Sequence, residues 1–123
     1  EARSRDDMKL AAQTAAMAAA FQEAAERNDA RIEFKLKRMY TTYRLAGDHP
    51  VVAAAASVMR QQGLEPHIVA SGGGTDANIY AEHGIYCAIL STGMAAVHTP
   101  QEHIAVSDMV AGARLLEGIV ARA

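Results

Sequence analysis

Cysteine is almost absent from this chain of 123 residues, Cys87 being the only one. A lone thiol cannot close an internal disulfide, so a cross-linked secreted scaffold is excluded and a reducing, cytoplasmic setting is expected. An excess of charge of one sign is also missing. Twelve Lys and Arg stand against 14 Asp and Glu, a net charge of -2 that gives no footprint for general nucleic-acid binding. No apolar run approaches the roughly 18 residues of a membrane span. No basic segment leading into an apolar stretch opens the chain, so no signal peptide is expected. Repeats and low-complexity linkers are absent apart from an alanine bias. The Gly-Lys-Ser/Thr element of a phosphate-binding loop is missing as well. What is present is a hydrophobic content of 50%, enough for a modest core in one domain or two small halves.

Nine alanines between Ala11 and Ala25 predict a helix from about Asp6 to Asn28, with Asp6 and Asp7 at the favourable dipole end. Leu10, Thr14, Met17 and Phe21 form its narrow stripe. From Arg31 to about Tyr40 the pattern switches to period two. Ile32, Phe34 and Leu36 alternate with Glu33, Lys35 and Lys37, the signature of a half-buried antiparallel strand. Glu1-Ala2-Arg3-Ser4 is a short strand that would complete a β-α-β piece. Around Ala46 to Pro50 a boundary is expected, with Asp48 or His49 capping a helix that holds Pro50 in its first turn and ends at Gly63. His67 to Ala70 reads as a short strand, Thr75 to His83 as a short helix, and the apolar run Ile85 to Leu90 as a strand covered on both faces. A last helix, capped by Ser107, runs to about Val120 on a stripe of Val110, Ala113, Leu116 and Val120. The alternation in the second half predicts an α/β fold with parallel-type strands covered by helices.

Two places carry chemistry. Ser71-Gly72-Gly73-Gly74-Thr75-Asp76-Ala77-Asn78 combines three glycines, which permit positive φ or close approach, with a helix-start sequence. Either this is a tight connecting turn, or its amides and small side chains bind a polar or anionic substrate group. His98 follows on a later loop. It is either a solvated loop histidine or, as a neutral imidazole, a zinc ligand; Glu102 and His103 beside it read as surface or supporting groups. Arg3 is either solvated or a bidentate clamp on a carboxylate. Cys87 reads as a small core residue. His49, His67 and His83 fall at element ends, and Lys35, Lys37, Arg38 and Arg44 form a basic face that blunts a strand edge.

Together these residues resemble the dinuclear zinc exopeptidase family of tripeptide aminopeptidase (peptidase T), glutamate carboxypeptidase and aminoacylase. Ser71 to Asn78, Glu82-His83-Gly84-Ile85, and Gly93-Met94 through Val97-His98-Thr99 look like its C-terminal signature. Glu1 to Asp6 looks like the strand-to-helix step of its small lid domain. The resemblance implies that residues 1–45 are the last part of a ferredoxin-like lid that carries a homodimer contact, and that residues 46–123 are the C-terminal part of the catalytic α/β domain. It implies zinc, with His98 as a ligand, and a substrate that is a short peptide or N-acyl amino acid. Arg3 would hold its carboxylate, and Gly72, Gly73, Gly74, Thr75, Asp76 and Asn78 would line its pocket. The general base and the remaining metal ligands would lie upstream of Glu1, so no catalytic residue is assigned here and the chain is expected to be an inactive C-terminal fragment. A non-enzymatic dimerisation or binding module is the alternative from another class, and an enzyme that grips a phosphate with the glycine loop is a third.

Overall fold

A computed structural model describes residues 1–122 of the chain. Among them lie four helices: α1 (Asp7–Arg27), α2 (Pro50–Gln61), α3 (Asp76–Glu82) and α4 (Val106–Val120). The chain divides into two compact units, one formed by Glu1–Tyr43 with Ala70–Ile85, the other by Arg44–Val69 with Tyr86–Ala123.

The α/β expectation is overturned. Among the described residues no strand is paired into a sheet; the isolated antiparallel bridge between Ala95 and His103 is the extent of β pairing. The β-α-β piece and the parallel-type strands are absent with it. The reason is that a strand is held by a neighbour, not by its own periodicity. Along residues 31–40 the alternation is present, yet Phe34 and Leu36 remain 39% and 64% exposed. Ile68, Val69, Ile85 and Ile89 are likewise exposed, so the apolar runs at 67–70 and 85–90 cover no sheet face.

The helices themselves follow local rules. Asp6 caps α1, its Oδ1 accepting from the Met8 and Lys9 N–H groups at 2.9 and 3.1 Å. Leu10, Thr14, Met17 and Ala25 lie on its covered side, and Phe21 packs its ring on Phe34 with centroids 5.7 Å apart. Three helices end alike. Leu64 N–H donates to Met59 O and Gly63 N–H to Arg60 O; Ile85 to Tyr80 and Gly84 to Ala81; Ala30 to Ala25 and Asp29 to Glu26. Each is a Schellman closure that needs a left-handed residue, supplied by Gly63 (φ 75), Gly84 (φ 78) and Asp29 (φ 50).

In the second unit α2 packs on α4. Pro50 opens α2 behind His49, which makes no side-chain cap bond. Ala55, Ala56 and Val58 are buried from α2, but from α4 the buried residue is Leu115. Val110, Leu116 and Val120, the stripe expected from sequence, are 44%, 56% and 73% exposed. The packed face runs instead through Leu115 and Gly118. A Cβ on Gly118 would stand 2.6 Å from Val58 Cγ1, so the missing side chain lets the helices approach. The helix also starts at Val106 behind Ala105, with Ser107 inside its first turn and not at its cap.

Candidate functional site

In the first unit the glycine loop is held by its own ends and by a distant segment. Ser71 Oγ accepts from the Gly73 N–H at 3.1 Å. Thr75 and Asn78 form a capping box: Thr75 Oγ1 accepts from the Ala77 N–H at 3.2 Å, and Asn78 Oδ1 accepts from the Thr75 N–H at 3.0 Å. The other end of the Asn78 amide donates to Thr41 O at 2.9 Å. Asn78 is 9% exposed, and both halves of its side chain are committed inside the unit. One helical turn on, Glu82 Oε1 accepts from both the N–H and the hydroxyl of Thr41, each at 2.7 Å. Those Thr41 donors, hydroxyl first and amide second, hold the Glu82 carboxyl below its ordinary value, with smaller help from His83 and Arg38.

None of the three loop glycines has a positive φ, so the freedom that the triplet offers is not used. Close approach is used, at one position. A Cβ on Gly74 would stand 2.1 Å from the Tyr40 ring and its hydroxyl, whereas one on Gly72 would meet nothing within 4 Å. Arg38 braces Tyr40 from behind, donating to Asp7 Oδ1 at 2.8 Å and to Tyr40 O at 3.3 Å. With Gly73, Thr75 and Ala77 satisfied internally, the N–H groups of Gly72 and Gly74 have no hydrogen-bond partner among the described residues.

Arg3 belongs to the same unit and pairs with Glu1. The pair raises the guanidinium and lowers the carboxyl, and Tyr40 adds a smaller electrostatic contribution to Arg3. The Arg3 side chain is 59% exposed, so the pair is a solvated one. It is Arg5, not Arg3, that ties the N-terminal segment to the loop, donating to Ala70 O at 3.2 Å. Asp76 opens α3 in its first turn. Sequence patterning assigns no site role to Tyr40 or Thr41, and takes Glu82 and Arg5 only as members of the family-like stretches 82–85 and 1–6. Thr41 is separated from its partners by 37 and 41 residues, and no local pattern announces such a contact.

His98 lies in the second unit, on a loop pinched by the Ala95–His103 bridge. Its backbone and that of Ala96 are left-handed, with φ of 66 and 51, a conformation that costs a non-glycine residue about 1–3 kcal/mol. Glu102 Oε2 secures the turn by accepting from the His98 N–H at 2.6 Å, and His103 Nδ1 faces Gln101 O at 2.8 Å. The His98 ring is exposed and has no hydrogen-bond partner among the described residues. Among those residues no group of three His, Cys, Asp or Glu is placed to hold a metal ion, and a zinc site takes three or four protein ligands. The donors of this chain do not by themselves fit a complete zinc site. Two recesses in the second unit, of about 150 and 230 Å³, are lined by residues that include Met59 and Leu115, and Val58 and Ile119; neither contains a site residue expected from sequence. No helix of the described residues is long and apolar enough to cross a membrane.

The profile of Peptidase family M20/M25/M40 matches residues 29–122. The chain is 34% identical over 123 residues to the uncharacterized protein YqjE of Bacillus subtilis (strain 168), covering 100% of this chain and 33% of that protein. Among solved structures it is similar to aminopeptidase PepT from Bacillus cereus ATCC 10987, with a TM-score of 0.75 and 32% identity, over 93% of this chain and 31% of that one. The chain thus spans about a third of the length of these two relatives.

Proposed function

Because the chain belongs to Peptidase family M20/M25/M40, we propose that it is the substrate-holding portion of a zinc-dependent peptidase that cleaves short peptides or N-acyl amino acids. The observation that carries this reading is the residue 71–75 loop, in which the N–H groups of Gly73 and Thr75 are bonded internally while those of Ser71, Gly72 and Gly74 have no partner among the described residues. N–H groups fixed before a ligand arrives can donate to a carbonyl or carboxylate oxygen without first being ordered. Arg3 offers the charge that a peptide's terminal carboxylate needs, by exchanging Glu1 for it. Zinc, when bound, supplies an activated water. His98 is proposed as one of its ligands, the others coming from residues outside this chain, and no reaction step is assigned to the residues present.

Steady-state hydrolysis of tripeptides by the full-length, zinc-supplied protein tests the reading. Replacing Arg3→Ala is expected to raise KM about tenfold or more while kcat moves less, because a contact made equally in ground and transition states is lost. An unchanged KM would remove Arg3 from the substrate. The 123-residue chain alone is expected neither to turn over peptides nor to bind zinc at micromolar concentration, since only His98 is offered. Calorimetric titration with zinc and a hydrolysis assay check both, and tight binding together with turnover would contradict the assignment.

A further inference from the structure

We infer that Glu82 is a positioning residue that sets the shape of the glycine loop through Thr41. The carboxylate occupies the last residue of α3, where the partial negative charge of the helix end disfavours an acid. Something must offset that disadvantage, and the structure supplies it. Glu82 Oε1 takes both donors of Thr41, at 2.7 Å each, and Asn78, one turn earlier on the same face, takes the Thr41 carbonyl at 2.9 Å. The backbone N–H, carbonyl and hydroxyl of one residue are therefore all held by one helix.

The consequence reaches the loop through Tyr40. Its ring lies so close over Gly74 that no Cβ fits between them, and it is covalently next to the residue that Glu82 grips. The end of α3 and the loop that precedes α3 are thus bridged by a two-residue staple, Tyr40-Thr41. Arg38, reaching from Tyr40 O to Asp7, fixes the near side of the staple. Glu82 makes no hydrogen bond to the loop itself; its hydrogen bonds go to Thr41. The role rests on the reading of residues 71–78 as the peptide-holding loop wherever it is tied to catalysis, but the geometric part stands apart from it.

The experiment is a set of variants of the full-length protein, Glu82→Ala, Glu82→Gln, Thr41→Val and Thr41→Ser, read by amide hydrogen exchange across residues 71–78 and by KM and kcat for a tripeptide. Loss of hydrogen bonds to a charged group is expected to speed exchange in the loop about fivefold or more for Glu82→Ala, which loses both bonds, and by less for Thr41→Val, which keeps the amide donor, and for Glu82→Gln, which keeps a neutral acceptor. Thr41→Ser retains both donors and is expected to stay within about twofold of the parent. Glu82 is exposed and Thr41 half-buried, so the fold should survive changes at Glu82, and Thr41→Ser and Glu82→Gln preserve the test if Thr41→Val or Glu82→Ala does not fold. Faster exchange together with a raised KM and a kcat nearly held supports both the positioning role and the peptide reading. Faster exchange with KM unmoved supports the positioning role and overturns the peptide reading of the loop. Unchanged exchange in Glu82→Ala and Thr41→Val overturns the positioning role, even if Arg3→Ala still raises KM.

Discussion

Asp29 carries the left-handed closure of α1 that Gly63 and Gly84 carry in α2 and α3. An aspartate tolerates that conformation better than most residues but still pays for its Cβ. Asp29→Gly is expected to stabilise the protein by about 0.5 kcal/mol, the relief being partly offset by the freer unfolded chain. A denaturant midpoint that fell would contradict the closure. Glu82 predicts an acid response. Its folded-state value is lowered, so the carboxylate contributes fully above the ordinary carboxylate value and loses its contribution as pH falls through the lower, folded one. Arg38 and His83 act electrostatically on the same carboxyl, each lowering it by less than the Thr41 donors do. Loop protection at residues 71–78 should therefore hold at neutral pH and be lost only in acid, and it should be insensitive to acid in Glu82→Ala. At this scale the helix start at Thr75 was legible from the Thr75-Asp76-Ala77-Asn78 pattern, and the capping box that Thr75 and Asn78 form there is seen only in the structure. The Thr41 clamp was not legible, since its partners meet only once the unit has folded.

The elements divide in the same way. α1 was readable because alanine content, Asp6 and a single covered stripe agree, and α2 because Pro50 and Gly63 bracket it. The face of α4 was misread for a physical reason. Counting apolar side chains selects Val110, Ala113, Leu116 and Val120, whereas the packed face runs through Leu115 and Gly118, and Gly118 contributes by lacking a side chain. A paired substitution tests this. Gly118→Ala places a methyl 2.6 Å from Val58 Cγ1 and is expected to lose about 1–2 kcal/mol, overpacking outweighing the gain in helix propensity. Gly112→Ala meets only Thr92 Cγ2 at 3.8 Å and is expected to gain up to about 1 kcal/mol. Thermal or urea unfolding of the two variants checks the order, and equal effects would contradict the packing. The strands were misjudged because period two marks a surface able to pair, while pairing depends on a partner that sequence periodicity does not specify.

For the molecule as a whole, the buried apolar set is small: Ala25, Ala55, Ala56, Val58, Ala77 and Leu115 among the described residues. Larger side chains such as Leu36, Ile68, Val69, Ile85 and Ile89 remain exposed, in a chain that spans about a third of two relatives. Family membership was legible because the triglycine run, the Glu82-His83-Gly84 step and the Gly93 to Thr99 stretch keep their order across the chain. If the glycine loop receives the peptide as proposed, the unpartnered N–H groups of Gly72 and Gly74 are where its oxygen atoms are held. Site-resolved amide exchange of Gly72 and Gly74 in the full-length protein, with and without a saturating, slowly cleaved tripeptide, tests it most directly. Both N–H groups are expected to become protected on binding while the already satisfied Thr75 N–H changes little; exchange at Gly72 and Gly74 unaltered by bound peptide would refute the proposed role of the loop.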